Sequence, residues 1–222
     1  MPRLPRLPLK DDGPQANLLI VEGADDFHAF ISLLDAHKMR GQCRLEDGGG
    51  YEAMRESIDT RIDESGLECI GFVVDSDEDI SNRWTSLRDV LVTRCGYTNV
   101  PETPEVGGTI VRQNDKAVVG FWLMPNNILP GALEEFIRLL IPIGDSKWDY
   151  AMSAVDGLPN KPTSPDDNWT SKAKIHSWLA WQEEPGKPIG QAITKRYLDP
   201  KAEQAQQLVS WIIRLFSLQQ NS

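Results

Sequence analysis

The chain has 222 residues, with 33 acidic and 23 basic side chains that give a formal net charge of −10. Hydrophobic residues make up 40% and charged residues 25% of it, which is typical of a globular protein with one sizeable core. The acidic balance argues against a protein that coats nucleic acid by bulk electrostatics, because such binding depends on Lys and Arg displacing counterions. It does not exclude an enzyme in which metal ions supply positive charge locally.

The cysteines and the N-terminus indicate the compartment. Cys43, Cys69 and Cys95 show neither C-x-x-C spacing nor the density of a disulfide scaffold, which favours a reducing compartment. The N-terminus lacks an apolar core long enough for a signal peptide, and no apolar run reaches the roughly 18 residues of a membrane span. We therefore predict a cytoplasmic protein with no membrane partner, and the sequence does not indicate its oligomeric state.

The pattern of the chain predicts three parts. Residues 1–17 are Pro-rich and predict a flexible N-terminal arm, so that the fold begins at Leu18. Residues 18–143 predict an α/β domain, and residues 144–222 predict a helical C-terminal extension packed on it. The extension contains two amphipathic segments, 169–183 and 200–218, on either side of a Pro/Gly-rich loop at 185–190.

Within the α/β domain, short apolar runs alternate with segments of helical periodicity. This alternation predicts βαβ units and a mostly parallel sheet. A hairpin is predicted from 109–112 into the last strand. The predicted strands are 18–21, 42–46, 69–74 and 117–124.

Acidic residues follow three of the predicted strands, namely Glu22, Asp47 and the pair Asp75 and Asp77. Because ligands of parallel α/β sheets bind outside the carboxyl ends of the strands, we expect these side chains to meet at one edge. Carboxylates placed where buried strands end are costly unless a cation binds them, so the pattern indicates a divalent-metal site.

Helix capping is the simpler explanation for some of the acids. It accounts well for Asp25, Asp26 and Asp79, which lie in or before the first turns of predicted helices. It accounts poorly for Glu22, because Glu is a weak N-cap and here precedes Gly23 directly after a buried strand.

These residues resemble a known catalytic module. Val21-Glu22-Gly23-Ala24-Asp25-Asp26, a strand ending in Asp47-Gly48-Gly49 and a strand ending in Asp75-Ser76-Asp77 resemble the Toprim domain of topoisomerases, bacterial primases, recombination proteins and overcoming-lysogenization-defect nucleases. The resemblance covers about residues 17–140. It implies a Rossmann-like, mostly parallel four-stranded sheet flanked by helices, acid–base chemistry or metal binding by Glu22, and Mg²⁺ or Mn²⁺ bound by Asp75 and Asp77.

The overcoming-lysogenization-defect nucleases imply further site residues. Their additional carboxylates match Asp26, Asp47 and Glu134, and their downstream basic residue matches Lys172 or Lys174. Ala132 stands where those nucleases have Ser, which puts a second metal in doubt. The tail from Lys172 onward also resembles a group of uncharacterised bacterial and archaeal Toprim-related proteins.

The function implied is metal-dependent phosphodiester cleavage of nucleic acid, DNA or RNA, and three alternatives compete with it. A calcium loop at 75–86 is excluded because Ile80 and Ser86 stand where Gly and Glu are required. A receiver-like phospho-acceptor fold requires a Thr or Ser and a Lys at the ends of later strands, whereas the strand to Met124 ends in Pro-Asn-Asn. This fold would also give Glu22 no role, so it is disfavoured. A non-catalytic Toprim-like module that binds nucleotide, nucleic acid or a protein stays open.

Overall fold

The structure is a computed structural model that describes residues 9–162 and 169–218. Its strands and helices are, in chain order, β1 (Lys10–Asp11), β2 (Asn17–Val21), α1 (Ala24–Ala36), β3 (Arg44–Asp47), α2 (Tyr51–Ile62), β4 (Cys69–Asp75), α3 (Ile80–Thr93), β5 (Thr109–Val111), β6 (Val118–Met124), α4 (Leu133–Leu139), α5 (Ser146–Asp156), α6 (Trp169–Ala180), α7 (Ile189–Thr194) and α8 (Glu203–Phe216).

The described strands form one sheet in the order β1-β3-β2-β4-β6-β5. The four central strands are parallel, whereas β1 and β5 pair antiparallel at the two edges. The α/β class is therefore confirmed, but the expected four-stranded sheet is wrong, because each edge carries one more strand. β5 is the first arm of the predicted hairpin. β1 lies inside the predicted N-terminal arm, so the fold begins before Leu18.

Helices cover both faces of the sheet. Along β2, Leu19 and Val21 pack in the larger core with helix α1 and helices of the C-terminal extension, whereas Leu18 and Ile20 pack against α2 and α3. Successive strand residues point to opposite faces, so a strand buried on both faces must be apolar throughout. This explains the continuous apolar run at 18–21.

Helix α8 packs directly on the sheet, over two glycines. Gly71 of β4 and Gly120 of β6 are paired in register, and Trp211 and Leu215 of α8 lie over them. A Cβ atom on Gly120 would stand 2.8 Å from Leu215 Cδ2 and 3.0 Å from Trp211 Cζ2. The glycines therefore set how closely the C-terminal extension approaches the sheet.

We expect Gly120→Ala to destabilise the fold by about 1–3 kcal/mol, the usual cost of overpacking a filled core. The free energy of unfolding in urea measures this. In a Leu215→Ala background the same change should cost less, because the methyl groups that it meets are gone. Equal costs in the two backgrounds would contradict this account of the packing.

The order of the strands places one crevice at the carboxyl edge. From β2 the chain passes through α1 on one face to β3, and then through α2 on the opposite face to β4, on the other side of β2. The carboxyl ends of β2 and β4 thus flank a topological switch point, where α/β sheets bind their ligands. Glu22 directly follows β2, and Asp75 ends β4.

Candidate metal centre

Glu22 and Asp75 meet at the switch point. The Glu22 carboxylate accepts a hydrogen bond from the backbone N–H of Asp75, with 3.0 Å between Oε2 and N. The bond spans two adjacent parallel strands and fixes the direction of the Glu22 side chain. The sequence-based expectation that these two residues lie together is therefore confirmed.

Asp26 brings a third carboxylate to this place from the first turn of α1. Its side chain is buried, with 7% of the residue exposed. One oxygen of Asp26, Oδ1, and one oxygen of Asp75, also Oδ1, are buried without a hydrogen-bond partner in the described residues. Buried polar atoms are normally paired, so two unpaired carboxylate oxygens require an explanation.

Glu134 is the fourth carboxylate, and Ser76 positions it. The buried hydroxyl of Ser76 donates a hydrogen bond to the carbonyl oxygen of Met124 at 2.7 Å. Its Oγ also accepts a hydrogen bond from Gly131 N at 2.9 Å. The backbone N–H groups of Ser76 and Asp77 both donate to the Gly131 carbonyl. These bonds tie the loop after β4 to the loop after β6, and helix α4 then begins with Glu134 buried in its first turn.

The four carboxyl groups perturb one another. Burial is the largest cause of the raised pKa in Glu22, Asp26, Asp75 and Glu134. For Asp26, burial and the nearby charge of Glu22 raise the pKa to about 7. For Asp75, burial and then the charges of Asp26, Glu22 and Glu134 raise the pKa well above its usual value. The four groups therefore form one electrostatic cluster, which we call the carboxylate cluster.

Two of the predicted acids have other partners. Asp77 lies at the rim of the carboxylate cluster, where its carboxylate forms an ion pair with Arg83. Asp47 accepts a hydrogen bond from its own loop, with 2.8 Å between Oδ1 and Gly49 N. Asp47 is not among the charges that contribute most to the raised pKa values of the cluster.

The two predicted lysines also differ. The charge of Lys172, an exposed residue of α6, acts to lower the pKa of Glu134, so this lysine lies near Glu134. Lys174 forms an ion pair with Asp156, with 2.9 Å between Nζ and Oδ1. Lys174 also lines a pocket together with Glu134, so both lysines lie near this carboxylate.

The comparison with protein families covers nearly all of the fold. The model of the family described as "Protein of unknown function (DUF3226)" matches residues 16–217. The chain belongs to this family. Its match spans strands β2 to β6 together with all the described helices, and edge strand β1 lies before it. No curated protein and no solved structure matches the chain.

The carboxylate cluster has the donor chemistry of a divalent-metal site but not a ready-made coordination sphere. Within residues 9–162 and 169–218, no three His, Cys, Asp or Glu side chains form a group that could hold a metal ion as they stand. Carboxylate oxygens are nevertheless the ligands that Mg²⁺ prefers. The unpaired oxygens of Asp26 and Asp75 lack the partner that a cation would provide. The residues fit a metal, provided that their side chains turn towards one ion.

Two residues of this region were missed in the sequence. Ser76 reads as the spacer between two acids, yet it is 1% exposed and links two loops. Arg83 reads as a solvated helix residue, yet its charge acts on Glu22 and it pairs with Asp77. No local signal marks either role, since both depend on contacts between separate elements.

In the described part of the chain, no helix is long and apolar enough to cross a membrane.

Proposed function

We propose that this protein is a Mg²⁺- or Mn²⁺-dependent phosphodiesterase of the nuclease type that cleaves nucleic acid. The observation that carries the proposal is the convergence of four carboxylates from separate segments of the chain at the switch point of the sheet, of which Asp26 and Glu134 are buried and Glu22 and Asp75 partly buried. Two of them have an unpaired buried oxygen. A family of unknown function leaves the activity open, so the proposal is based on the site.

Stability alone does not account for such a cluster. Burying a carboxylate without a compensating charge costs several kcal/mol in effective terms, and like charges add to the cost. Among the described residues, the permanent positive charges that act to lower the pKa values of the cluster are those of Arg83 near Glu22 and Lys172 near Glu134. Sites that bind a cation tolerate this excess of negative charge because the ligand neutralises it.

Each residue has an expected role. Asp26, Asp75 and Glu134 would hold the ion, and Glu22 would hold it or move a proton at its Oε1 atom. The chemistry that a bound Mg²⁺ supplies is neutralisation of the charge that develops on the attacked phosphate. Lys172 would add a second positive charge on the side of α6. The resemblance to Toprim nucleases supports this assignment for Glu22, Asp26, Asp75 and Glu134.

Cleavage assays test the proposal. Purified protein should cleave at least one substrate among single- and double-stranded DNA and RNA with Mn²⁺ or Mg²⁺, and none with EDTA. Glu22→Gln should lower the rate by about 10²–10⁴-fold, the usual contribution of an acid–base group. Asp25→Asn is the matched control, because it also removes one negative charge near the site but from an exposed side chain.

A non-catalytic module that binds nucleic acid, nucleotide or a protein is the second candidate. It is favoured because Ala132, whose backbone N–H donates to Glu135 Oε2 at 2.8 Å, lacks the hydroxyl expected beside Glu134. The side chains also form no ready coordination group in the described residues. If the protein cleaves none of the four substrates with or without metal, the non-catalytic module becomes the better interpretation.

A further inference from the structure

A groove adjoins the carboxylate cluster at the carboxyl edge of the sheet. It has a volume of about 360 Å³ and lies between the N-terminal ends of α2 and α3. Its lining includes Tyr51 from α2, Asp77 and Asp79 from the loop after β4, and Arg83 and Ser86 from α3. This loop directly follows Asp75, the last residue of β4, so the groove lies beside the cluster.

Arg83 is held rigidly in this groove. Its guanidinium lies over the ring of Tyr51, with Cζ 3.5 Å from the ring centroid, and forms an ion pair with Asp77. Only 12% of the Arg83 side chain is exposed. Tyr51 is itself fixed, because its hydroxyl donates to Ser86 Oγ at 3.0 Å and Arg55 Nε donates to the same atom at 2.7 Å. A side chain fixed in this way loses little entropy when it binds a ligand.

Three acidic residues line the groove, namely Asp77, Glu78 and Asp79, and each of them interacts with other groups of the protein. Asp79 caps α3, since its carboxylate accepts hydrogen bonds from the N–H groups of Ser81 at 2.9 Å and Asn82 at 3.0 Å. Asp77 faces Arg83 and adopts a left-handed backbone conformation, with φ of 50°. Helix α2 begins after Gly50 without a side-chain N-cap among the described residues, and Glu52 is the acidic residue of its first turn.

We propose that this groove binds a backbone phosphate of the nucleic acid next to the phosphate under attack, with Arg83 as its contact residue and Asp77 as the positioning residue that holds Arg83. The inference rests on the proposed function for the nature of the ligand. It removes Asp77 from the expected metal ligands and gives it a different task.

The chemistry of Arg83 fits a phosphodiester. Its planar guanidinium offers parallel N–H donors that match two phosphate oxygens, and one face can stay stacked on an aromatic ring meanwhile. The charge of Arg83 also lowers the pKa of Glu22, so the groove and the cluster are neighbours. A polymeric substrate with regularly spaced phosphates can therefore occupy both at once.

Binding of short fluorescein-labelled single-stranded DNA and RNA tests the contact. Fluorescence anisotropy should be measured with Ca²⁺ present and at several salt concentrations. Arg83→Gln should weaken binding about tenfold and make the slope of log K against log salt shallower by about 0.7, the share of one phosphate contact on a single strand. The affinity of Arg83→Lys should lie between those of wild type and Arg83→Gln, because lysine keeps the charge but lacks the two parallel N–H donors of the guanidinium.

Arg94→Gln is the matched control. Arg94 follows the last residue of α3, at the end opposite Arg83, and also pairs with an aspartate, with 2.6 Å between Nη2 and Asp59 Oδ1. The change removes the same charge from the same helix and should leave affinity within about twofold and the salt slope unchanged. Equal losses in Arg94→Gln and Arg83→Gln would reduce the effect to net charge and overturn the inference.

Mn²⁺ binding, followed by electron paramagnetic resonance, tests the role of Asp77. Asp77→Asn should weaken oligonucleotide binding and keep the Mn²⁺ affinity, whereas Asp75→Asn should lose both. Loss of Mn²⁺ affinity in Asp77→Asn would make it a metal ligand and overturn the positioning role. If no substrate is cleaved but binding depends on Arg83, the phosphate site stands and the proposed catalysis fails. If wild type binds neither probe, the phosphate site itself is refuted.

Discussion

Asp26→Asn should make the metal-free protein more stable at pH 8 and, by a smaller margin, also at pH 5. In the folded protein the pKa of Asp26 is about 7, because of burial and the charge of Glu22, whereas in the unfolded chain it has its ordinary value of 3.8. The folded state therefore binds more protons between these pH values, and stability falls as pH rises through this window. A shift of about 3 units corresponds to roughly 4 kcal/mol at pH 8, when the buried carboxylate is ionised. Asn keeps the shape without the charge.

Urea unfolding at pH 5 and pH 8 in EDTA measures this effect. In Asp26→Asn, the free energy of unfolding should depend less steeply on pH than in wild type. Some dependence should remain, because Glu22, Asp75 and Glu134 keep raised pKa values of their own. Asp25→Asn, on the exposed side of the same helical turn, should follow the wild-type pH dependence. An Asp26→Asn protein that loses stability between pH 5 and pH 8 as steeply as wild type would refute the buried ionisation.

The sequence contained enough to place the centre of the site. Apolar runs of strand length end at Glu22 and Asp75, and the rule that parallel strands present their carboxyl ends at one edge brings these residues together. Asp26 was found only through the Toprim resemblance, because first-turn acids are common and only its burial distinguishes it from Asp25. The local sequence pattern thus predicted where along the chain the acidic site residues lie better than it predicted which of their side chains point into the site.

The contacts that the sequence did not reveal connect separate elements. Helix α7 lies partly in a stretch predicted as a Pro/Gly-rich loop and packs on α1, where a Cβ on Gly190 would stand 2.5 Å from His28 O. Strand β1 lies in a Pro-rich segment and pairs over only two residues, Lys10 and Asp11. The partner of Asp77 is six positions away on the next helix. Such contacts follow from packing, which overrides local propensity and leaves no periodic pattern to read.

Asp75→Asn should abolish both metal binding and cleavage while leaving the fold intact. At a Mn²⁺ concentration of about 100 times the Kd, the wild-type protein should gain about 2.7 kcal/mol, or roughly 5–10 °C in melting temperature. At one fixed Mn²⁺ concentration the gain should be larger at pH 8 than at pH 6, because the ion displaces protons from carboxyl groups with raised pKa values. The variant lacks the charge that anchors the ion and should show no gain at either pH.

Asp79→Asn is the control for this experiment. It removes a carboxylate from the same loop, and Asn caps a helix about as well as Asp, so both stability and the Mn²⁺ shift should be retained. A wild-type melting temperature that ignores millimolar Mn²⁺, or an Asp75→Asn protein that gains as much as wild type, would contradict a metal centre at the carboxylate cluster. If Asp75→Asn alone loses the Mn²⁺-dependent gain in melting temperature, the ion binds at the Asp75 carboxylate. This carboxylate has a buried oxygen without a partner in the metal-free protein, and a bound cation would neutralise it.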